Sequence, residues 1–227
     1  MNLVKIFQII VQKYMQFAKN KMFDYIFLDL DGPILEGKYR HYECYKDIVN
    51  KFGGDILDIN TYWNMKMSKV RRDVILKESA FKGSYEDFFN DWMCTVEDER
   101  YLKLDILKPQ VIETLQKWKG ITQKIVLVTM RQDESYLITQ LQNLEVLSLL
   151  DEVIVCPPQR KNTKYEALKN IKFNKAIFIG DTEEDTNTAK MLNIKSIGIT
   201  NGLRKKKFLD ADYYYKEIKD INFMEIK

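Results

Sequence analysis

At 227 residues, with 45% hydrophobic and 30% charged side chains, the chain is long enough to bury a sizeable core, in one domain or in a domain with an insertion. Its net charge of +3 is spread over 36 basic and 33 acidic side chains, which gives no electrostatic case for nucleic acid; the one dense basic run, Arg204 to Lys207, reads as a solvated loop. Cys44, Cys94 and Cys156 are odd in number and free of CxxC spacing, which points to reduced thiols in a cytoplasmic protein and away from a disulfide framework or a zinc site; no apolar run is long enough to span a membrane.

Taken in chain order, residues 1–22 set Leu3, Ile6, Phe7, Ile10, Tyr14 and Phe17 on one helical face and Lys5, Gln8, Gln12, Gln16 and Lys19 on the other. Packing on the domain, lying on a membrane surface and preceding a natural start at Met22 all stay open as readings of this extension. Gln8 and Gln12 interrupt the apolar stretch, so it does not read as a signal peptide.

Tyr25 to Leu28 is a short run rich in aromatic and β-branched side chains, the mark of a strand covered on both faces, and Gly32-Pro33 stops it. Asp29 and Asp31 stand at its end, two apart, so a regular strand would point them the same way. Two carboxylates so placed repel unless something offsets their charge, and a Mg²⁺ ion with its preference for oxygen ligands would do so.

After a short flexible stretch at Leu35 to Lys38, the spacing of Tyr42, Tyr45, Ile48, Val49 and Phe52 predicts a helix that Gly53-Gly54 ends. Tyr62 to Phe81 is helical in pattern, in one piece or two, and Ser84-Tyr-Glu-Asp87 opens another helix as a capping box. No strand pattern falls between residues 38 and 105, so residues 37–108 form an all-helical block. It is set between two parts of a different architecture, residues 23–36 and 109–227.

That architecture resumes with Pro109 as a first helical residue and a helix through Trp118. Strands are expected at Ile125 to Val128, Val153 to Val155, Ala176 to Ile179 and Ser196 to Ile199, with helices between them and Thr163 capping one of these. Tyr213 to Tyr215 is a candidate edge strand. Alternation of this kind implies an α/β fold with a parallel, Rossmann-like sheet, whose ligands bind beyond the carboxyl ends of the strands. Asp29, Asp31, Thr129 and Asp181 all fall at those ends.

The residues that converge there make the chain resemble the haloacid dehalogenase superfamily over residues 23 to about 220. Its hhhhDxDG motif matches Ile26 to Gly32, its strand ending in Thr or Ser matches Val126 to Thr129, its lysine matches Lys164 (or Lys161), and its GDxxxD motif matches Gly180 to Asp185. The resemblance implies a Mg²⁺-dependent phosphatase of a small phosphorylated metabolite. Asp29 would be the nucleophile that forms an aspartyl-phosphate, and Asp31 the general acid and then base. Thr129 would hydrogen-bond a phosphate oxygen, and Lys164 would pair with Asp29 or the phosphate. Asp29, the Asp31 carbonyl, Asp181 and Asp185 would bind the metal, with Glu184 the alternative to Asp185.

A sugar phosphomutase would use the same residues. A binding protein that kept the fold without turnover is a further reading. The resemblance also makes residues 37–108 a C1-type helical cap, from which Arg40, His41, Tyr42, Arg71 and Arg72 are candidates to touch substrate. Pro33, where relatives carry Thr or Val, departs from the pattern without touching a motif. Arg131 is either an anion contact or a surface ion pair.

Overall fold

The computed structural model describes residues 21–158 and 161–226; the expected N-terminal amphipathic helix lies outside them. β1 (Phe23–Leu28) is the centre of a six-stranded sheet in the order β5-β4-β1-β6-β7-β8, formed with β4 (Thr122–Thr129), β5 (Glu152–Val155), β6 (Ala176–Gly180), β7 (Lys195–Ile199) and β8 (Tyr213–Tyr215). Every pairing is parallel. The expected edge strand at Tyr213 is therefore real.

Because side chains alternate along a strand, each face of this sheet carries its own apolar layer. Ile26, Leu28, Ile125, Leu127, Ile177 and Ile179 face one side. They pack there with Val111, Leu115 and Trp118 of α6 (Val111–Trp118) and with Leu137 and Leu141 of α7 (Glu134–Asn143). Phe27, Val126, Val128 and Phe178 face the other side, against Leu168 of α8 (Thr163–Leu168) and Ala189 of α9 (Glu183–Met191). A central strand covered on both faces needs an unbroken apolar run, which is what Tyr25 to Leu28 supplies.

Between residues 37 and 108 the chain forms five helices: α1 (Lys38–Phe52), α2 (Ile59–Met67), α3 (Arg72–Glu78), α4 (Tyr85–Thr95) and α5 (Glu99–Leu102). They surround a separate apolar cluster that includes Tyr45, Val49, Tyr62, Leu76, Phe88 and Trp92. Tyr45 stacks on Tyr62 with ring centroids 4.3 Å apart, and its hydroxyl meets Ser79 Oγ at 2.6 Å. Ser84 caps α4 through the expected box, accepting from Asp87 N at 3.0 Å while Ser84 N donates to Asp87 Oδ2 at 2.8 Å.

Local expectations need correction at three places. Leu35 and Glu36 are not a flexible stretch: they form β2 (Leu35–Glu36), antiparallel to β3 (Ile106–Leu107), so the segments entering and leaving the helical block are paired with each other. Pro109 does not begin α6, because Gln110 takes a left-handed turn (φ 59°) that delays the helix to Val111. Thr163 does not cap α8 from outside; Asn162, also left-handed, precedes the helix and Thr163 is its first residue.

The separate apolar cluster of the helical block implies a unit of local stability apart from the sheet. Phe88→Ala should cost about 3–5 kcal/mol, the range for emptying a buried aromatic site. In hydrogen exchange its effect should fall on amides of residues 38–102, with β1, β4 and β6 keeping their protection. Uniform loss across the sheet would show that the clusters melt together.

Candidate active site

Parallel strands finish on one edge of a sheet, so residues that end or follow β1, β4 and β6 meet there. Asp29 follows β1, Thr129 ends β4 and Asp181 follows β6, and all three are buried. Lys164 in the first turn of α8 and Asp185 in the first turn of α9 reach the same edge, each about 1% exposed. Lys164 Nζ lies 2.7 Å from Asp29 Oδ1 and 2.6 Å from Asp185 Oδ1. Asp185 turns its other oxygen to the helix it opens, accepting from Asp181 N at 3.2 Å, Thr182 N at 3.0 Å and the Thr182 hydroxyl at 2.7 Å.

Oxygens of Asp29, Asp181 and Asp185 all lie within 4.8 Å of one another. One lysine faces three buried carboxylates. Burial, with Asp185 and Asp31 adding to it against Lys164, pushes the Asp29 carboxyl up to about 7. Burial, then Asp29 and Asp185, hold Asp181 well above the usual carboxylate range. Asp181 Oδ2 accepts the Leu203 N–H, but Oδ1 has no partner among the described residues. A buried acceptor left open inside an all-oxygen acid cluster is the donor set a hard divalent cation takes.

Glycine makes the room for it. A Cβ on Gly32 would stand 2.0 Å from Asp181 Oδ2, and one on Gly202 would stand 2.1 Å from the same atom. Gly32 also has φ +101°, a conformation that L side chains rarely adopt.

Asp31 behaves differently from the expectation that it would point with Asp29. β1 ends at Leu28, so strict alternation no longer applies at residues 29–31. The Asp31 carboxylate lies outside the acid cluster and takes Arg131 in a two-point pairing, Nε at 2.9 Å and a terminal nitrogen at 2.9 Å, with Arg40 at 2.6 Å. Burial alone would raise its pKa; Arg131 and Arg40 more than offset this and hold it below the usual range. Both arginines also reach the buried Asp105, Arg40 at 2.8 Å and Arg131 at 3.2 Å, so four charges form one closed network. Arg131 is thus a buried ion-pair partner at the cavity wall and not a surface ion pair.

A cavity of about 250 Å³ covers this edge. Asp29, Asp31, Thr129, Lys164 and Asp181 form its floor, and Arg40, His41, Trp63, Trp92 and Met93 of the helical block form its roof. None of the hydrogen bonds among the described residues uses the Thr129 hydroxyl. Of the other candidates, Lys161 is exposed and outside the cavity, and Glu184 stands outside the acid cluster. Tyr42 donates to Leu57 O at 3.0 Å, while Arg71 and Arg72 line a different cavity. Asp105, Lys108, Trp63 and Trp92 belong to the site or its frame, and nothing in their local pattern sets them apart from helix surface or core. Among the described residues no helix is long and apolar enough to cross a membrane.

A family model described as haloacid dehalogenase-like hydrolase matches residues 25–199. No curated protein matches the chain in sequence. Among solved structures, a predicted phosphoglycolate phosphatase from Haemophilus somnus aligns with TM-score 0.67 at 16% identity, covering 88% of this chain and 96% of its own. A haloacid dehalogenase-like family hydrolase from Streptococcus pneumoniae aligns with TM-score 0.65 at 19% identity, covering 86% and 95%. A protein described as a β-phosphoglucomutase from Thermotoga maritima aligns with TM-score 0.60 at 19% identity, covering 85% and 94%.

The crowded acids carry a pH signature. Asp29 titrates near 7 in the fold against an ordinary value of 3.8, so the fold holds the proton that the unfolded chain releases. Its contribution to stability is therefore complete below about 3.8 and is lost as pH rises through about 7. Asp181 shifts in the same direction. In metal-free protein, Asp181→Asn should melt above wild type, by a margin that widens as pH rises above the ordinary carboxylate range, and Mg²⁺ should stabilise wild type alone. Melting curves at several pH values check this; a margin independent of pH would refute the crowding account.

Proposed function

The chain belongs to the haloacid dehalogenase-like hydrolase family, and from that premise we propose that it is a Mg²⁺-dependent phosphatase of a small phosphorylated metabolite, acting in the cytoplasm. Residues 37–108 act as the cap, residues 23–36 and 109–227 as the catalytic core. The observation that carries this reading is the buried set of Asp29, Asp181 and Asp185 joined to Lys164, with Asp181 Oδ1 unpartnered among the described residues.

Asp29 and Asp181 would hold the metal, with the Asp31 carbonyl, while Asp185 fixes Lys164 and the turn that carries Asp181. When bound, the ion cancels the repulsion between an anionic nucleophile and an anionic substrate. Lys164 and the Thr129 hydroxyl orient the phosphoryl group. Asp29 attacks phosphorus, the P–O bond to the leaving group breaks, and the leaving oxygen takes a proton from Asp31. Water then attacks the aspartyl-phosphate as Asp31 accepts its proton, returning Asp29 and free phosphate.

The observed pairing of Asp31 with Arg40 and Arg131 favours its carboxylate, the form that activates water. Protonating the leaving oxygen needs the acid form, so both guanidiniums must shift off Asp31 in that step. Arg40 rides on the first cap helix, which ties the step to cap movement.

A phosphomutase remains the second reading, since the same floor serves it and the Thermotoga maritima neighbour has that description. The test is phosphate release from a panel of phosphorylated metabolites, with Mg²⁺ or with chelator. Release should require Mg²⁺ and fall at least ~10³-fold in Asp29→Asn. An isomerised sugar phosphate in place of free phosphate would select the mutase. Undiminished release in Asp29→Asn would remove Asp29 as nucleophile.

A further inference from the structure

A second cavity, of about 410 Å³, lies behind the roof of the first and shares no lining residue with it. Its size falls within the range of small-molecule sites. Cap residues Lys66 and Arg72 line it, and so does Arg204, from the basic run beyond β7. Lys66 and Arg72 have no carboxylate partner among the described residues, and both are half-buried. Arg204 shares Glu183 with Lys69, at 3.1 Å and 2.7 Å.

Positive charge is therefore gathered here in excess of the acids that face it. Burial, then Arg72, Arg204 and Arg40, hold the Lys66 ammonium well below the usual lysine range. Among the described residues only His41 Nδ1 and aromatic faces meet the side chains of Lys66 and Arg72: Lys66 stands 4.8 Å from the Trp92 ring centre and Arg72 stands 5.3 Å from it on its own approach. Ring contacts of this kind fix the direction of a cation without neutralising it.

We propose that this cavity is a second anion site, which takes the phosphate group of a small organic molecule between Lys66, Arg72 and Arg204. Two guanidiniums and an ammonium suit an anion with several acceptor oxygens. Tyr62 and Phe88 on the same wall give an apolar body a surface to lie on. The site spans the cap and the core. Arg204 already donates to Lys66 O at 3.0 Å, and Lys205 N to Met67 O at 3.1 Å, so a bound anion adds to contacts that hold the cap down and favours that arrangement. The inference is independent of the chemistry assigned to the catalytic cavity.

The test uses full-length protein stripped of divalent metal on a chelating resin, so that the acid cluster disfavours anions in the catalytic cavity. Inorganic phosphate and phenylphosphonate are titrated by calorimetry and thermal melting. Wild type should bind both, and Lys66→Met and Arg72→Gln should each weaken binding at least ~10-fold, with Arg204→Gln as a further variant on the core side. Lys66→Met should also melt above wild type in phosphate-free buffer, since it removes uncompensated charge. Tighter binding of phenylphosphonate identifies an organic phosphate as the ligand; equal binding identifies free phosphate. The proposal is overturned if wild type binds neither probe, if the cap variants bind as wild type does, or if Asp181→Asn alters binding as much as Lys66→Met.

Discussion

Three carboxylates are forced into one buried corner, and the rest of the molecule is arranged around the repulsion between them. A lone ionised carboxylate in such a place is costly, and each further one raises the cost. The fold manages the corner with a fixed set of devices. Lys164 bridges two of the acids, the turn before α9 spends one oxygen of Asp185 on backbone N–H groups, and Gly32 and Gly202 leave the room that Asp181 occupies. What remains unbalanced is Asp181, whose open oxygen is the part of the corner that a ligand can complete.

The same economy of charge appears twice more, with different outcomes. Arg40, Asp31, Arg131 and Asp105 close on themselves, two cations against two anions, and leave little for a ligand. Lys66 and Arg72, on the far side of Trp92, are not closed. The described residues thus hold an anionic corner, a neutral lock and a cationic chamber.

The fold was legible because its signals are local. Apolar runs of four or five residues before Asp29, Thr129 and Asp181 mark buried strands, and the helices between them leave few other topologies. Their order also placed the strand ends on one edge, so Asp29, Thr129 and Asp181 read as neighbours before any distance was known. Partnerships made across the chain were not legible. Asp105 looks like any acid after a helix, yet it anchors Arg40 and Arg131. Asp31 sits in a motif, but its pairing depends on an arginine a hundred residues away. The β2–β3 pair was missed because two residues on each side carry no periodicity. The left-handed turns at Gln110 and Asn162 were missed because neither residue is glycine.

That short ribbon has a mechanical meaning. The chain enters the helical block through Leu35–Glu36 and leaves through Ile106–Leu107, and the two crossings are bonded to each other. Lys108 fastens their base, donating to Glu36 at 2.8 Å and to Asn201 O at 2.7 Å. A body hung on two independent strings can slide, tilt and twist. One hung on a single stiff strap has little choice but to swing about it. For the proposed cap, a swing about this strap would bring its underside, Arg40 nearest the strap and Trp92 farther out, back to the same place over the acids.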